Sequence, residues 1–196
     1  MKLISSTAVL ILCACLAAQF PAPAAAEEEN LVANPGFEEP ADAQDGALPA
    51  SWEVFTSKET KLGITRAAKR SGEQSLRITA QGLAKGYQGV SVKLPVTPGQ
   101  KYTFSAYVLN DRASSLGGTA HGQLCIEWHD DAGKELSRTY SKPWSGALSK
   151  MRWEDVSLRD QQAPKGAALA IFGIHLSEGE KGGLGSFLVD DVSITP

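Results

Sequence analysis

Two adjacent aspartates, Asp190 and Asp191, interrupt the otherwise apolar and β-branched run FLVDDVSI at residues 187–194. If the run alternates as a strand does, Leu188, Asp190, Val192 and Ile194 share one face, and Phe187, Val189, Asp191 and Ser193 share the other. Asp190 then falls on an apolar, core-facing row, while Asp191 faces solvent. A carboxylate in such a row must be protonated, paired with a base or bound to a metal, because an unpaired buried charge is strongly unfavourable. Arg77 and Lys93 are the bases that could pair with it.

A second set of chemistry-bearing residues lies mid-chain. In QLCIEWHD, Leu124, Ile126 and Trp128 form one row and Gln123, Cys125, Glu127 and His129 the opposite one. A glycosidase uses two carboxylates about 5 Å apart or more, and Glu127 beside His129 imitates part of such a site. Neighbouring polar residues on a strand face are commonplace, however. No G-x-S-x-G elbow or H-E-x-x-H helix accompanies these two, so the chain reads as a non-enzyme. GEKGGLG at 179–185 joins two strands without opening a helix, and reads as a hairpin loop rather than a phosphate cradle. HDDAGKE at 129–135 lacks the EF-hand spacing and reads as a turn. Cys125 has no activating neighbour in sequence. Tyr87, Tyr107 and Trp144 are candidate sugar-stacking rings, Trp144 because SKPWSGA is a Pro/Ser/Gly loop in which an indole has little reason to be buried.

About ten short β-like runs must position these residues, from NLVA and SWEVF to GSFLVDDVSI. The turn formers NPG, DGALP, KRSGE, TPGQ, DDAGKE, APKGA and EGEKGG separate them. No run has a sustained 3.6-residue period, and no repeat is visible. The pattern predicts an all-β antiparallel β-sandwich, a jelly roll. Outward rows would carry Tyr87 (with Gly89, Ser91 and Lys93), Tyr107, Gln123, Glu127, His129 and His175. If those strands are neighbours in one sheet, they form a polar and aromatic platform.

The chain has 196 residues and a formal net charge of −3. Mild acidity without a basic run argues against nucleic acid and anionic membrane surfaces. Lys2, the apolar LISSTAVLILCACLAA and the small residues up to Ala26 predict a secretory signal peptide at 1–26, followed by one domain at 27–196 that is ordered from about residue 30. LCAC at 12–15 also has features of a bacterial lipobox, in which Cys15 would carry a lipid anchor. Past the signal only Cys125 remains, so no intramolecular disulfide is available. Secreted, periplasmic or surface-anchored localisation is expected, with no transmembrane segment.

NLVANPGFEEP, LPASWEVF, AAKRSGEQSLRIT, VKLPVTPGQKYTFSAYVLN, IEWHDDAGKEL, RWEDVSL, APKGAALAIFGI and GSFLVDDVSITP, in that order, resemble the CenC-like carbohydrate-binding modules of families 4, 9, 16 and 22, a galactose-binding-domain-like group. The resemblance spans the mature chain. It implies a jelly roll that binds a polysaccharide or oligosaccharide without cleaving it, in company with a glycoside hydrolase. It also implies a structural Ca²⁺ held by Glu38, Asp190 and backbone carbonyls of Gly36, Arg70 and Ser71, a mixed oxygen set that suits Ca²⁺. The group's sugar sites have no fixed motif, so the resemblance transfers no ligand residues. Two other readings stay open: a structural or adhesion domain that binds a cell-envelope protein, and a small glycoside hydrolase that uses Glu127.

Overall fold

The computed structural model describes residues 29–196; the signal-peptide and Cys15 expectations lie outside the described residues. Ten strands form two five-stranded antiparallel sheets packed face to face. They are β1 (Glu53–Thr56), β2 (Leu62–Thr65), β3 (Ser75–Gln81), β4 (Tyr87–Pro95), β5 (Lys101–Asn110), β6 (His121–His129), β7 (Glu135–Tyr140), β8 (Glu154–Gln162), β9 (Leu169–Ser177) and β10 (Leu184–Thr195). One sheet runs β1-β4-β9-β6-β7 and the other β2-β3-β10-β5-β8. This is the expected jelly-roll sandwich. Among the described residues no helix is long and apolar enough to cross a membrane.

Period-two patterning builds the core. Val90 and Val92 of β4, Leu124, Ile126 and Trp128 of β6, and Phe172, Ile174 and Leu176 of β9 face Tyr102, Phe104, Ala106 and Val108 of β5. Phe172 meets Phe104 edge-on at 5.6 Å, and Tyr102 packs 5.9 Å from Trp128. Each such ring or aliphatic side chain withdrawn from water contributes about 1.5–3 kcal/mol. Gln88 shares the core row yet is bonded at both amide atoms: Lys61 N donates to its Oε1 at 2.8 Å, and its Nε2 donates to Thr79 O at 2.6 Å, which ties the two sheets together. HDDAGKE forms the β6–β7 turn, with Asp130 N donating to Lys134 O at 3.0 Å.

The last strand departs from simple alternation. Its pairing with β5 runs Val189↔Val108 and Asp190↔Tyr107, then resumes at Ser193↔Ser105 and Ile194↔Phe104. Asp191 and Val192 therefore oppose the single residue Ala106, which makes a β-bulge, and Asp191 adopts φ +46°. The extra residue reverses the facing phase. Phe187 and Val189 lie in the core before the bulge and Val192 and Ile194 after it, so Leu188 and Asp190 are on the outer face of the sheet. The expected core-facing row Leu188–Asp190–Val192–Ile194 is thus corrected. Asp190 is nonetheless fully buried, because chain from elsewhere covers it.

That cover comes from the N-terminal stretch and the β2–β3 loop. NLVA, expected as a strand, is irregular, but it lies alongside β10 where β3 stops. Leu31 N donates to Ile194 O and Val192 N to Pro35 O, both at 2.9 Å. Asn30 completes the seam, its Nδ2 donating to Val192 O at 2.9 Å and its Oδ1 accepting from Ile194 N at 3.0 Å.

Candidate functional site

The outward rows of β1, β4, β9, β6 and β7 lie side by side, so the platform expected from the sequence exists on this sheet. Register sets three cross-strand rows: Phe55–Gly89–His175–Gln123, Glu53–Ser91–Gly173–Cys125–Tyr140 and Lys93–Ile171–Glu127–Arg138. Apart from the two glycines and Cys125, these residues line a cleft of about 560 Å³ together with Tyr87 and Ser177. Glycines in the central strands hollow it out. A Cβ at Gly89 would collide with the Phe55 ring, and one at Gly173 would press on the His175 imidazole. The His175 ring packs between aromatic neighbours, 4.7 Å from Phe55 and 6.1 Å from Tyr140, both edge-on. Tyr87 stands exposed at the rim.

The charges of the cleft are spent on one another. Lys93 Nζ lies 2.8 Å from Glu53, and Arg138 Nη2 lies 3.2 Å from Glu127 Oε1 and 2.8 Å from Glu135 Oε2. Arg138 Nη1 also donates to Tyr140 Oη at 3.0 Å. These bonds hold the guanidinium pKa above its ordinary value and Glu135 below its own. Burial, helped by the nearby Arg138 charge, lowers His175 to about 4, so its imidazole is neutral at physiological pH. Cys125 lies under the floor with no exposure, and burial pushes its thiol up to about 12, which removes it as a nucleophile at neutral pH.

Of the residues read from sequence, Tyr87, Gln123, Glu127 and His175 line this cleft, with His129 beside it. Two are placed elsewhere. Tyr107 belongs to β5 in the opposite sheet, where the Arg70 guanidinium stacks 3.5 Å from its ring centroid. Trp144, expected in an exposed loop, is 7% exposed; it packs edge-on against Phe187 at 5.3 Å and fills the space that Gly122 leaves open. Its strand-like bridge to Gly122 draws the loop into the core. The cleft residues missed include Glu53, Phe55, Arg138, Tyr140, Ile171 and Ser177. Alternation carried the signal: with Trp52 and Val54 inward, Phe55 points out, and Arg138 and Tyr140 share a row of ELSRTY.

The residues expected to hold a cation gather at the bulge on the opposite sheet. Asp190 Oδ2 accepts from Arg70 N at 2.7 Å and Ser71 N at 3.3 Å, and Oδ1 accepts from Asp191 N at 2.8 Å. Glu38 Oε1 accepts from Glu73 N at 2.9 Å and Gln74 N at 3.1 Å. A Cβ on Gly36 would lie 3.5 Å from Asp190 Oδ1 and 3.8 Å from Glu38 Oε1, so both carboxylates converge on that glycine. The backbone at Arg70 and Ser71 thus reaches Asp190 through amides, where carbonyl donors were expected. The alternative pairing of Asp190 with a base is not formed: Arg77 lies 3.1 Å from Asp111 and 3.5 Å from Asp45, and Lys93 is engaged by Glu53. Burial raises Asp190 to about 6, against the lowering effect of the Arg70 and Asp191 amides. Asp191, expected in solvent, is bound by the Arg70 guanidinium and the Ser71 hydroxyl.

No family model and no curated protein matches this chain. Solved structures do. The carbohydrate-binding module TmCBM61, solved with β-1,4-galactotriose, aligns over 85% of this chain and 97% of its own at TM-score 0.53 and 16% identity. The C-terminal family 22 carbohydrate-binding module of Clostridium thermocellum Xyn10B aligns over 82% and 89% at TM-score 0.57 and 13% identity. The CBM22-1 xylan-binding domain of Paenibacillus barcinonensis Xyn10C aligns over 82% and 90% at TM-score 0.52 and 21% identity. At these identities the likeness is one of fold: the chain is a β-sandwich of the kind found in carbohydrate-binding modules.

Proposed function

We propose that this chain is a non-catalytic glycan-binding module that takes an uncharged oligosaccharide into the cleft on β1-β4-β9-β6-β7. The observation that carries the reading is the composition of that cleft. The exposed rings of Tyr87 and Tyr140 and the half-buried ring of Phe55 offer stacking surface, while Gln123, Ser91, Ser177 and the neutral His175 offer donors and acceptors for hydroxyls. Lys93 with Glu53 and Arg138 with Glu127 form internal ion pairs. An acidic sugar would have to break one of these pairs, whereas a neutral sugar would not. Catalysis is disfavoured because the Glu127 and Glu135 carboxylates are both engaged by the Arg138 guanidinium.

The Asp190 corner completes the reading as a structural Ca²⁺ site. Its donor set fits a hard cation: two convergent carboxylates, no base on either, and no hydrogen bond from a described residue to Glu38 Oε2. Glu38 and Asp190 would hold the ion, which would supply positive charge where burial disfavours the Asp190 anion. The chain is proposed to work outside the cytoplasm, exported by its N-terminal segment, where Ca²⁺ is abundant; fractionation of cells expressing the full chain tests this. Binding is tested by calorimetry with β-1,4-galactotriose and xylohexaose and by a broader glycan array. Binding that Tyr140→Ala weakens by about tenfold supports the proposal. An array without a hit refutes it.

A further inference from the structure

Beside the cleft, Glu127, His129 and Glu135 bring one imidazole nitrogen and two carboxylate oxygens within 4.8 Å of one another. His129 carries the telling detail. Its Nδ1 lies 3.1 Å from Gly133 O, a hydrogen bond that puts the proton on Nδ1 and leaves the Nε2 lone pair free. Nε2 is closed off from solvent, has no hydrogen-bond partner among the described residues and lies 3.6 Å from Glu127 Oε2. Two acceptors facing each other repel unless a proton or a cation lies between them. At 3.6 Å the pair is too far apart for a hydrogen bond, whereas donors bound to one ion at about 2.0–2.2 Å sit roughly 3–4 Å apart.

We propose that Glu127, His129 and Glu135 form a site for a divalent transition metal of the Zn²⁺ class, and that Arg138 is its built-in competitor. One imidazole and two carboxylates suit a borderline ion and disfavour Ca²⁺, which sets this site apart from the all-oxygen corner at Asp190. Three protein ligands leave a coordination position open to water. Arg138 Nη2, between Glu127 and Glu135, now supplies the positive charge that the ion would bring, and it must swing aside when the ion enters.

The test is calorimetric titration of ZnCl₂ into the untagged chain in calcium-containing buffer, with X-ray absorption on the zinc-loaded protein. One zinc per chain is expected, with nitrogen and oxygen neighbours and no sulfur. His129→Gln should weaken binding by about tenfold or more, and Arg138→Gln should tighten it by about tenfold, a gain that misfolding cannot produce. The proposal fails if neither wild type nor Arg138→Gln binds zinc, or if His129→Gln binds unchanged. It also fails if sulfur appears in the coordination shell or Cys125→Ala abolishes binding, since the ion would then belong to the neighbouring Cys125–Glu127–His175 group.

Discussion

The two carboxylate clusters of this sandwich, on the outer faces of opposite sheets, are built in opposite ways. In the cleft, acids meet bases side chain to side chain: Glu53 with Lys93, and Glu127 and Glu135 with Arg138. These groups are partly exposed and can change partners at little cost, as exposed ion pairs contribute only about 0–1 kcal/mol each. At the bulge, Asp190 and Glu38 are held by five backbone amides from the β2–β3 loop and β10 and by no base. The first arrangement leaves a surface that a ligand can rearrange. The second fixes the chain's two ends and a loop to each other, so it acts on stability rather than recognition.

Glycine substitutions should split the two regions most widely. Gly72 has φ +55° and lies against the Glu38 carboxylate, so Gly72→Ala strains the backbone and displaces an acid that holds two amides. A loss of about 3 kcal/mol is expected, read as a drop in melting temperature of roughly 10 °C. Gly173→Ala in the cleft has no positive φ to strain and meets only the His175 imidazole, which must shift between Phe55 and Tyr140, so a smaller loss of about 1–2 kcal/mol is expected. Equal losses would erase the distinction.

Chelation comes next in size. In the calcium reading, EDTA at pH 7.5 lowers the wild-type melting temperature by several degrees, on the order of 2 kcal/mol, and leaves Asp190→Asn unaffected. A wild-type melting curve indifferent to EDTA removes the calcium. Recognition should respond in the other region: Tyr140→Ala and Phe55→Ala each weaken glycan binding by about tenfold in titration, with little change in melting temperature. Weakened binding in Asp190→Asn at saturating calcium would contradict that separation.

The smallest effect is a pH balance. Asp190 has its folded pKa raised, so without metal it favours folding at low pH, and that contribution is lost as pH rises from about 4 to about 6. His175 has its folded pKa lowered, so its contribution is present above about 6.5 and is lost as pH falls toward about 4. The opposing slopes overlap. In EDTA, wild-type stability should be nearly flat across this window, and His175→Gln should become more stable on acidification. Thermal melts at half-unit pH steps measure both curves.

Alternation and turn residues in the sequence determined most of the framework: ten of the runs form strands, and the inward row Leu124–Ile126–Trp128 of β6 matches its buried residues, because period two is a local property of extended backbone. The outward rows supplied Tyr87, Gln123, Glu127 and His175 for the same reason. Sheet membership is not local, so only the tertiary structure moved Tyr107 to the far sheet, drew Trp144 into the core and brought Phe55, Arg138 and Tyr140 to the cleft. The convergence of Glu38, Gly36 and Asp190 was implied by resemblance, and folding brings these residues together from opposite ends of the chain. The facing of Asp190 was beyond alternation altogether, since one extra residue at Asp191–Val192 reverses the phase, and its burial depends on chain from residues 30–37 and 66–74 laid over an outer face.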